Sequence, residues 1–225
     1  MSKKLLRVFL LGVSAGLSIA LAGLLFEVVS LGSNKIWGSL VFSTGLLLVC
    51  SFALYLFTGK IGFLFDAEDK KAYGLELLIG YLGNIVGAVA FGYLTRFILK
   101  GYGNQALLDF GVTVSNGKLL PASSWYVNLL SGMGCGALVF VGVFAFKKFE
   151  HPIFKTLILV ASVFAFVAIG FEHCIANMFY FSFSNSWGNP VAYLNILLVT
   201  LGNSIGALLI YFLTRFALPK SNNII

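Results

Sequence analysis

Uncharged stretches at residues 8–26, 36–59, 77–95, 119–146 and 174–214 set the first limit on what this chain can fold into. About 20 apolar residues in a helix cross the hydrocarbon core of a bilayer, and most of these stretches are that long. A water-soluble domain has no interior large enough to hide them. With 59% hydrophobic and only 10% charged residues and a mean hydropathy of +0.96, the composition agrees with a multi-pass membrane protein. The opening "MSKKLLRVFLLGVSAGLSIALAG" has the basic start, apolar middle and Ala20-Leu21-Ala22 site of a secretory signal. Its apolar run continues to Leu31 with glycines spaced as in a packed membrane helix, so it reads as the first span.

The net charge of +7 is dispersed at the ends of the apolar runs, which argues against a nucleic-acid partner and makes the basic residues markers of topology. With the N-terminus inside, Lys3, Lys4, Arg7, Lys70, Lys71, Lys147, Lys148, Lys155, Arg215 and Lys220 fall on one side; Lys35, Arg96, Lys100 and Lys118 fall on the other, with Lys60 ambiguous. The excess of positive charge on cytoplasmic loops then predicts both termini in the cytoplasm and a location in the cytoplasmic (inner) membrane, among lipids. Cys50, Cys135 and Cys174 lie within apolar runs and are expected as free thiols. Glu27, near the end of the first span, is expected at the membrane interface, and His151 in a solvated loop.

"YLGNIVGAVAFGYLTRF" (81–97) and "TLGNSIGALLIYFLTRF" (200–216) align without gaps, sharing Gly-Asn, Gly, Ala and Leu-Thr-Arg-Phe. That is an internal repeat within a single transmembrane domain, 1–225, with one copy over about residues 1–100 and the other over about 119–217. Three spans per half invert the second copy relative to the first, and with both termini on one side three plus three fits. Inverted repeats carry their site near the midplane, at broken helices. A break precedes each copy: one where Thr58, Gly59, Lys60 and Gly62 interrupt the pattern, the other where Gly170 leads into Glu172-His173 in "GFEHCIANMF". Non-helical backbone at membrane depth is tolerated only where it is buried in protein or lines an aqueous cavity. Glu172 and His173 are thus expected beside a pore, with Asn84 and Asn203 bonding loop backbone that lacks helical partners. The "GVSAGLSIALAG" spacing is expected to supply the small-residue face of a ring of protomers.

"GFEHCIANMF", the two Gly-Asn-x-x-Gly helices and "LFTGK" together resemble the formate/nitrite transporter family, over nearly the whole chain. The resemblance implies an all-α, aquaporin-like six-helix protomer (3+3, two broken helices), five to a ring, each with a pore for a small monovalent anion such as formate, nitrite or hydrosulfide. It assigns the central histidine to His173, the threonine of the opposite loop to Thr58, and the asparagine that holds the histidine to Asn203, with Asn84 its repeat mate. It puts an outer apolar slit at Phe166, an inner one at Phe42, further constriction at Leu56 and Phe57, and a basic residue of the outer mouth at Lys118. It also implies a pore-side asparagine on the fourth span, where this chain has Gly136.

The chemistry of the residues agrees with that resemblance. An anion crossing a dry slit loses its hydration at prohibitive cost unless it is compensated or neutralised. Half-helix N-terminal ends, with unpaired N–H groups, supply compensation. A histidine, with an unperturbed pKa of about 6.5, supplies a proton near physiological pH. Glu172 is expected to hold the loop by accepting backbone N–H bonds. Adjacent Cys174 and His173 lack an orienting group for enzyme chemistry and a second ligand for a metal, and no Gly-Lys-Ser/Thr motif powers a pump. No enzyme activity, metal or cofactor is expected, and transport is passive or proton-coupled. The alternative, an aquaporin-like neutral-solute channel, calls for paired Asn-Pro-Ala motifs, which neither break contains.

Overall fold

The computed structural model describes residues 2–217, and every regular element among them is a helix: α1 (Lys3–Gly32), α2 (Lys35–Ser51), α3 (Phe57–Lys60), α4 (Lys70–Gly101), α5 (Gln105–Asn116), α6 (Trp125–Lys148), α7 (Pro152–Ile169), α8 (Cys174–Ser184) and α9 (Pro190–Ala217). α1, α4, α6, α7 and α9 are long and apolar enough to cross a membrane, and α2, at 17 residues, is a shorter apolar helix. Lys220 lies outside the described residues.

Glycine decides how the long helices pair. Gly12 lies so close to the backbone of Gly80, and Gly16 to that of Asn84, that neither has room for a Cβ. The order of these contacts makes α1 and α4 parallel. The other pair repeats the arrangement, with Gly132 against the backbone of Val199 and Gly136 against that of Asn203, so that α6 and α9 are parallel as well. Without side chains between them the backbones approach closely, and dispersion and interhelical contact replace the hydrophobic effect that lipid cannot supply.

Two expectations change here. The "GVSAGLSIALAG" glycines pack inside the protomer, against α4 and, for Gly23, against the Phe179 ring, so they are no ring-forming face. Gly136 faces the α9 backbone, so a pore-side polar group has no room at that position.

The start of α1 and the end of α9 lie on one face. Lys4 of α1 pairs with Glu76 at the start of α4, and Tyr211 near the end of α9 donates to Asp66 at 2.6 Å. We call this face proximal and the opposite one distal. α5, an amphipathic helix that the apolar pattern had not separated from its neighbours, packs on α8, where Gly111 meets Phe183.

Both interrupted spans re-enter. α7 ends at Gly170, whose φ of 94° is the left-handed conformation that glycine adopts without a Cβ clash. The chain then turns back through residues 171–173 and starts α8. In the first half α2 ends at Ser51 and the break occupies residues 52–56, earlier than the expected Thr58–Gly62 interruption, with Ala53 at a φ of 51°. Thr58 and Gly59 therefore lie inside the short returning helix, not in the loop.

Gly16→Val is expected to lower stability by about 1–3 kcal/mol or more, because the new side chain meets backbone that cannot give way. Gly74→Ala, on a part of α4 with open space around it, should be neutral. Thermal unfolding in mild detergent distinguishes the two.

Candidate functional site

The returning segments α3 and α8 begin at the same depth, and two asparagines hold them there. Asn84 of α4 accepts from Phe57 N at 2.9 Å and donates to the Gly12 and Tyr55 carbonyls, each at 2.8 Å. Asn203 of α9 accepts from Cys174 N at 3.0 Å and donates to the carbonyls of Gly132 at 2.8 Å and Glu172 at 2.9 Å. Both are fully buried. Each amide uses one acceptor and two donors to replace bonds that a continuous helix would have made itself. The N–H groups of Phe57 and Cys174, the first of each returning helix, are thereby committed and do not serve an anion.

His173 is the residue between the two that Asn203 clamps. Its partner equivalent in the first half, between Tyr55 and Phe57, is Leu56 rather than Thr58. Asn203 thus acts on the backbone around His173 and not on its ring. The ring is held otherwise: Nδ1 accepts from Ala176 N at 3.3 Å, and Nε2 stands 2.9 Å from Thr58 Oγ1. Accepting at Nδ1 puts the single proton of the neutral ring on Nε2, which donates to Thr58 and leaves the threonine hydroxyl proton free for another acceptor. A second proton, on Nδ1, requires the Ala176 contact to open. His173 and Thr58 are both buried.

Cavities lie on either side of this pair. The distal one, about 400 Å³, reaches His173 past Phe42, Phe166, Lys118, Glu172 and Tyr180. The proximal one, about 270 Å³, is closed at its inner end by Leu56 and Gly59 and carries Cys50, Lys60 and Lys147 on its walls.

Phe42 and Phe166 touch edge to face, with centroids 6.0 Å apart, and both line the distal cavity. The expectation of an inner slit at Phe42 is therefore corrected: helices α2 and α7 pack together and bring the two rings to the same side of His173. Phe166 also stacks on the His173 ring at 6.2 Å. Leu56 lines the proximal cavity, whereas Phe57 packs against Tyr81 with centroids 4.8 Å apart and belongs to neither cavity.

Lys118 and Glu172 form an ion pair at 2.9 Å, both side chains mostly buried. Glu172 takes its other bond from Asn177 Nδ2 at 2.7 Å, so it is held by side chains and not by the backbone N–H groups expected. Asn177 also donates to Asn195 at 2.8 Å, and Asn195 donates to Asn128 and to the Lys118 carbonyl, each at 3.1 Å. Sequence reasoning missed these three asparagines. Their signal was a polar amide within an apolar run, the same one that found Asn84 and Asn203, without a repeat to single it out. Glu27 is corrected too: it is fully buried, with neither carboxylate oxygen hydrogen-bonded among the described residues. Cys50, Cys135 and Cys174 are free thiols, and no cluster of potential metal ligands occurs among the described residues.

Comparison with known proteins gives one consistent answer. The family model described as "Formate/nitrite transporter" matches residues 1–217. A formate channel of Haemophilus influenzae is 28% identical, the match covering 88% of this chain and 81% of that one. A formate-nitrite transporter of Entamoeba histolytica is 27% identical over 90% of this chain, which spans only 61% of that relative. Among solved structures, a pentameric formate channel with formate bound superposes with a TM-score of 0.80 at 24% identity, covering 95% of this chain and 97% of that one. At that identity the likeness establishes the fold.

Asn84→Ala and Asn203→Ala are each expected to destabilise by about 1–3 kcal/mol for every buried group left unpaired. Only Asn203→Ala should also move the imidazole ¹⁵N resonances of His173, which are separable from those of His151 by a His151→Gln background. Equal spectral changes in the two variants would remove the distinction between the clamps.

Proposed function

The chain belongs to the formate/nitrite transporter family, and on that premise we propose that it is a pore for small monovalent anions, formate, nitrite or hydrosulfide, with His173 as the proton-handling group between its two cavities. Membership makes it a multi-pass transport protein and not an enzyme. The observation that carries the proposal is the His173 Nε2 to Thr58 Oγ1 contact of 2.9 Å, which stands where the two returning segments meet, with His173 on the wall of the distal cavity and Thr58 close in sequence to Leu56 and Gly59 of the proximal one.

Our reading of the architecture is the aquaporin-like one: three spans per half, the halves inverted, repeat one over about residues 1–100 and repeat two over about 119–217. The matched asparagine clamps support it. So does the 2.8 Å bond between Tyr81 and Thr200, the first residues of the two aligned repeat segments, which lie against each other as residues near a two-fold axis would. A homopentamer, with one pore per protomer, is favoured by the formate channel it resembles in fold. Basic loop residues favour cytoplasmic termini in the inner membrane, so that the proximal face is cytoplasmic.

Transport then proceeds in steps that these residues can perform. An anion enters the distal cavity, where the Lys118–Glu172 pair adds little net charge and the Tyr180 hydroxyl offers a donor. It approaches His173 past the Phe42 and Phe166 rings, whose apolar faces strip water and penalise a naked charge. The imidazole, having taken a proton through the aqueous cavity, passes it to the anion, and the neutral acid moves by Thr58 and Leu56 to the proximal cavity. There it ionises, returning the proton to water. The threonine hydroxyl proton left free by the Nε2 donation is oriented to bond the anion's oxygen during the transfer.

In proteoliposomes, His173→Asn is expected to reduce proton-linked formate uptake by roughly a hundredfold, the low end of what one positioned acid–base group contributes. The rise of uptake with falling pH should flatten, because an asparagine bonds an anion but does not titrate. The substitution should also admit a pH-independent anion current. Unchanged uptake, current and pH response would reduce His173 to a packing residue, and flux of glycerol exceeding that of every anion would overturn the anion reading.

A further inference from the structure

The two cavities differ in net charge. On the distal side Lys118 is neutralised by Glu172 at 2.9 Å, and the further lysine on the lining, Lys35, is exposed to solvent. On the proximal side the ionisable groups lining the cavity are Lys60, Lys147 and the Cys50 thiol, and neither lysine forms an ion pair among the described residues. Of the carboxylates on that face, Glu76 pairs with Lys4, Asp66 accepts from Tyr211 at 2.6 Å and Asp69 caps α4, and no carboxylate among the described residues lines the cavity.

Aromatic rings fix the two ammonium groups without cancelling their charge. Lys147 Nζ sits 3.9 Å from the centroid of Phe63, and Lys60 Nζ 5.1 Å from that of Tyr55. Lys147 also stands in the last turn of α6, where the helix dipole holds a cation in place. Tyr73 Oη donates to the Lys60 carbonyl at 2.9 Å and anchors the segment that carries it. The remaining walls, Val49, Leu54, Val143 and Phe146 among them, are apolar, so the field of two cations is focused into a space of about 270 Å³.

We propose that this cavity is a loading site for one small monovalent anion, held between Lys60 and Lys147 on the proximal side of Leu56. The inference rests on the channel reading and adds a direction to it. The proximal mouth, with two unpaired cations, concentrates the anion more strongly than the distal mouth, where the only lysine left unpaired among the described lining residues, Lys35, is screened by solvent. The pore then saturates at lower substrate concentration from the proximal side than from the distal side. Anions of any identity compete there according to charge and size, and discrimination is left to the His173 region.

Cys50, on the cavity wall, is a native reporter of the local field, while Cys135 and Cys174 are fully buried. In the full-length protein in liposomes, sulfonate-bearing and quaternary-ammonium methanethiosulfonates are applied from the proximal face, with Cys50→Ser as the blank. The anionic reagent is expected to react preferentially with Cys50 at low ionic strength. The double variant Lys60→Gln/Lys147→Gln should lower the anionic-to-cationic rate ratio by about tenfold, and salt should erode it in the wild type. Lys60→Arg/Lys147→Arg should keep the ratio, Lys148→Gln, on the adjacent surface, should leave it within twofold, and added formate should slow the anionic reagent. In flux measurements on vesicles of one orientation, the glutamine pair should raise the half-saturating formate concentration about tenfold from the proximal side and less than twofold from the distal side.

A ratio unchanged in the glutamine pair, an equal loss in Lys148→Gln, or a Cys50 that neither reagent reaches overturns the loading site. The labelling does not depend on conduction. A retained ratio effect with no formate flux would sink the channel reading and leave the anion site standing; flux with no ratio effect would do the reverse.

Discussion

Everything at the centre of this protein depends on two asparagine side chains replacing hydrogen bonds that an unbroken helix would have made for itself. Turning a chain back at membrane depth exposes N–H and C=O groups to surroundings without water, at several kcal/mol for each group left unpaired. Asn84 and Asn203 each pair three such groups, two of them flanking the residue that caps a returning helix. The third bond of each, to Gly12 or Gly132, ties the loop to the neighbouring helix. The glycine contacts between α1 and α4, and between α6 and α9, bring those carbonyls within reach. Close packing and loop closure are one device, used twice.

The same device presents different side chains in its two copies. Where the second half offers His173, the first offers Leu56, and each is the residue bracketed by the asparagine bonds. An apolar side chain on one side and an imidazole on the other makes the centre asymmetric, although the asparagine clamps around it match. Thr58, two residues beyond Leu56, comes from the opposite copy to complete the histidine's hydrogen bonding at Nε2. The two clamps thus share one geometry, and the residue each brackets is what differs.

How much of this was legible can be judged from individual residues. His173 and Glu172 stood out because an ionisable pair in an apolar run is costly without a partner, and Asn84 and Asn203 because they recur in register. Asn128, Asn177 and Asn195 have the same chemistry but no repeat, so nothing in the sequence drew them together with Lys118 and Glu172. Glu27 was misjudged because distance along an apolar run does not tell which face of a helix a side chain takes. Phe42 was assigned to the wrong side of the pore for a related reason: spacing from Thr58 is measured along the chain, but the chain reverses at residues 52–56. That reversal lies in "SFALYL", which holds no glycine or proline to mark it.

The sequence by itself determined that the chain is a multi-pass helical membrane protein of the formate/nitrite transporter family, because apolar length, a repeated Gly-Asn-x-x-Gly segment and the motif around His173 are local and additive signals. Tertiary structure alone decided where the first break falls, which rings face which cavity, and which charges are paired. Lys118 finds a carboxylate 54 residues away, while Lys60 and Lys147 find none. Such outcomes depend on which helices the glycines allow to touch, a property of surfaces in contact that no single segment carries.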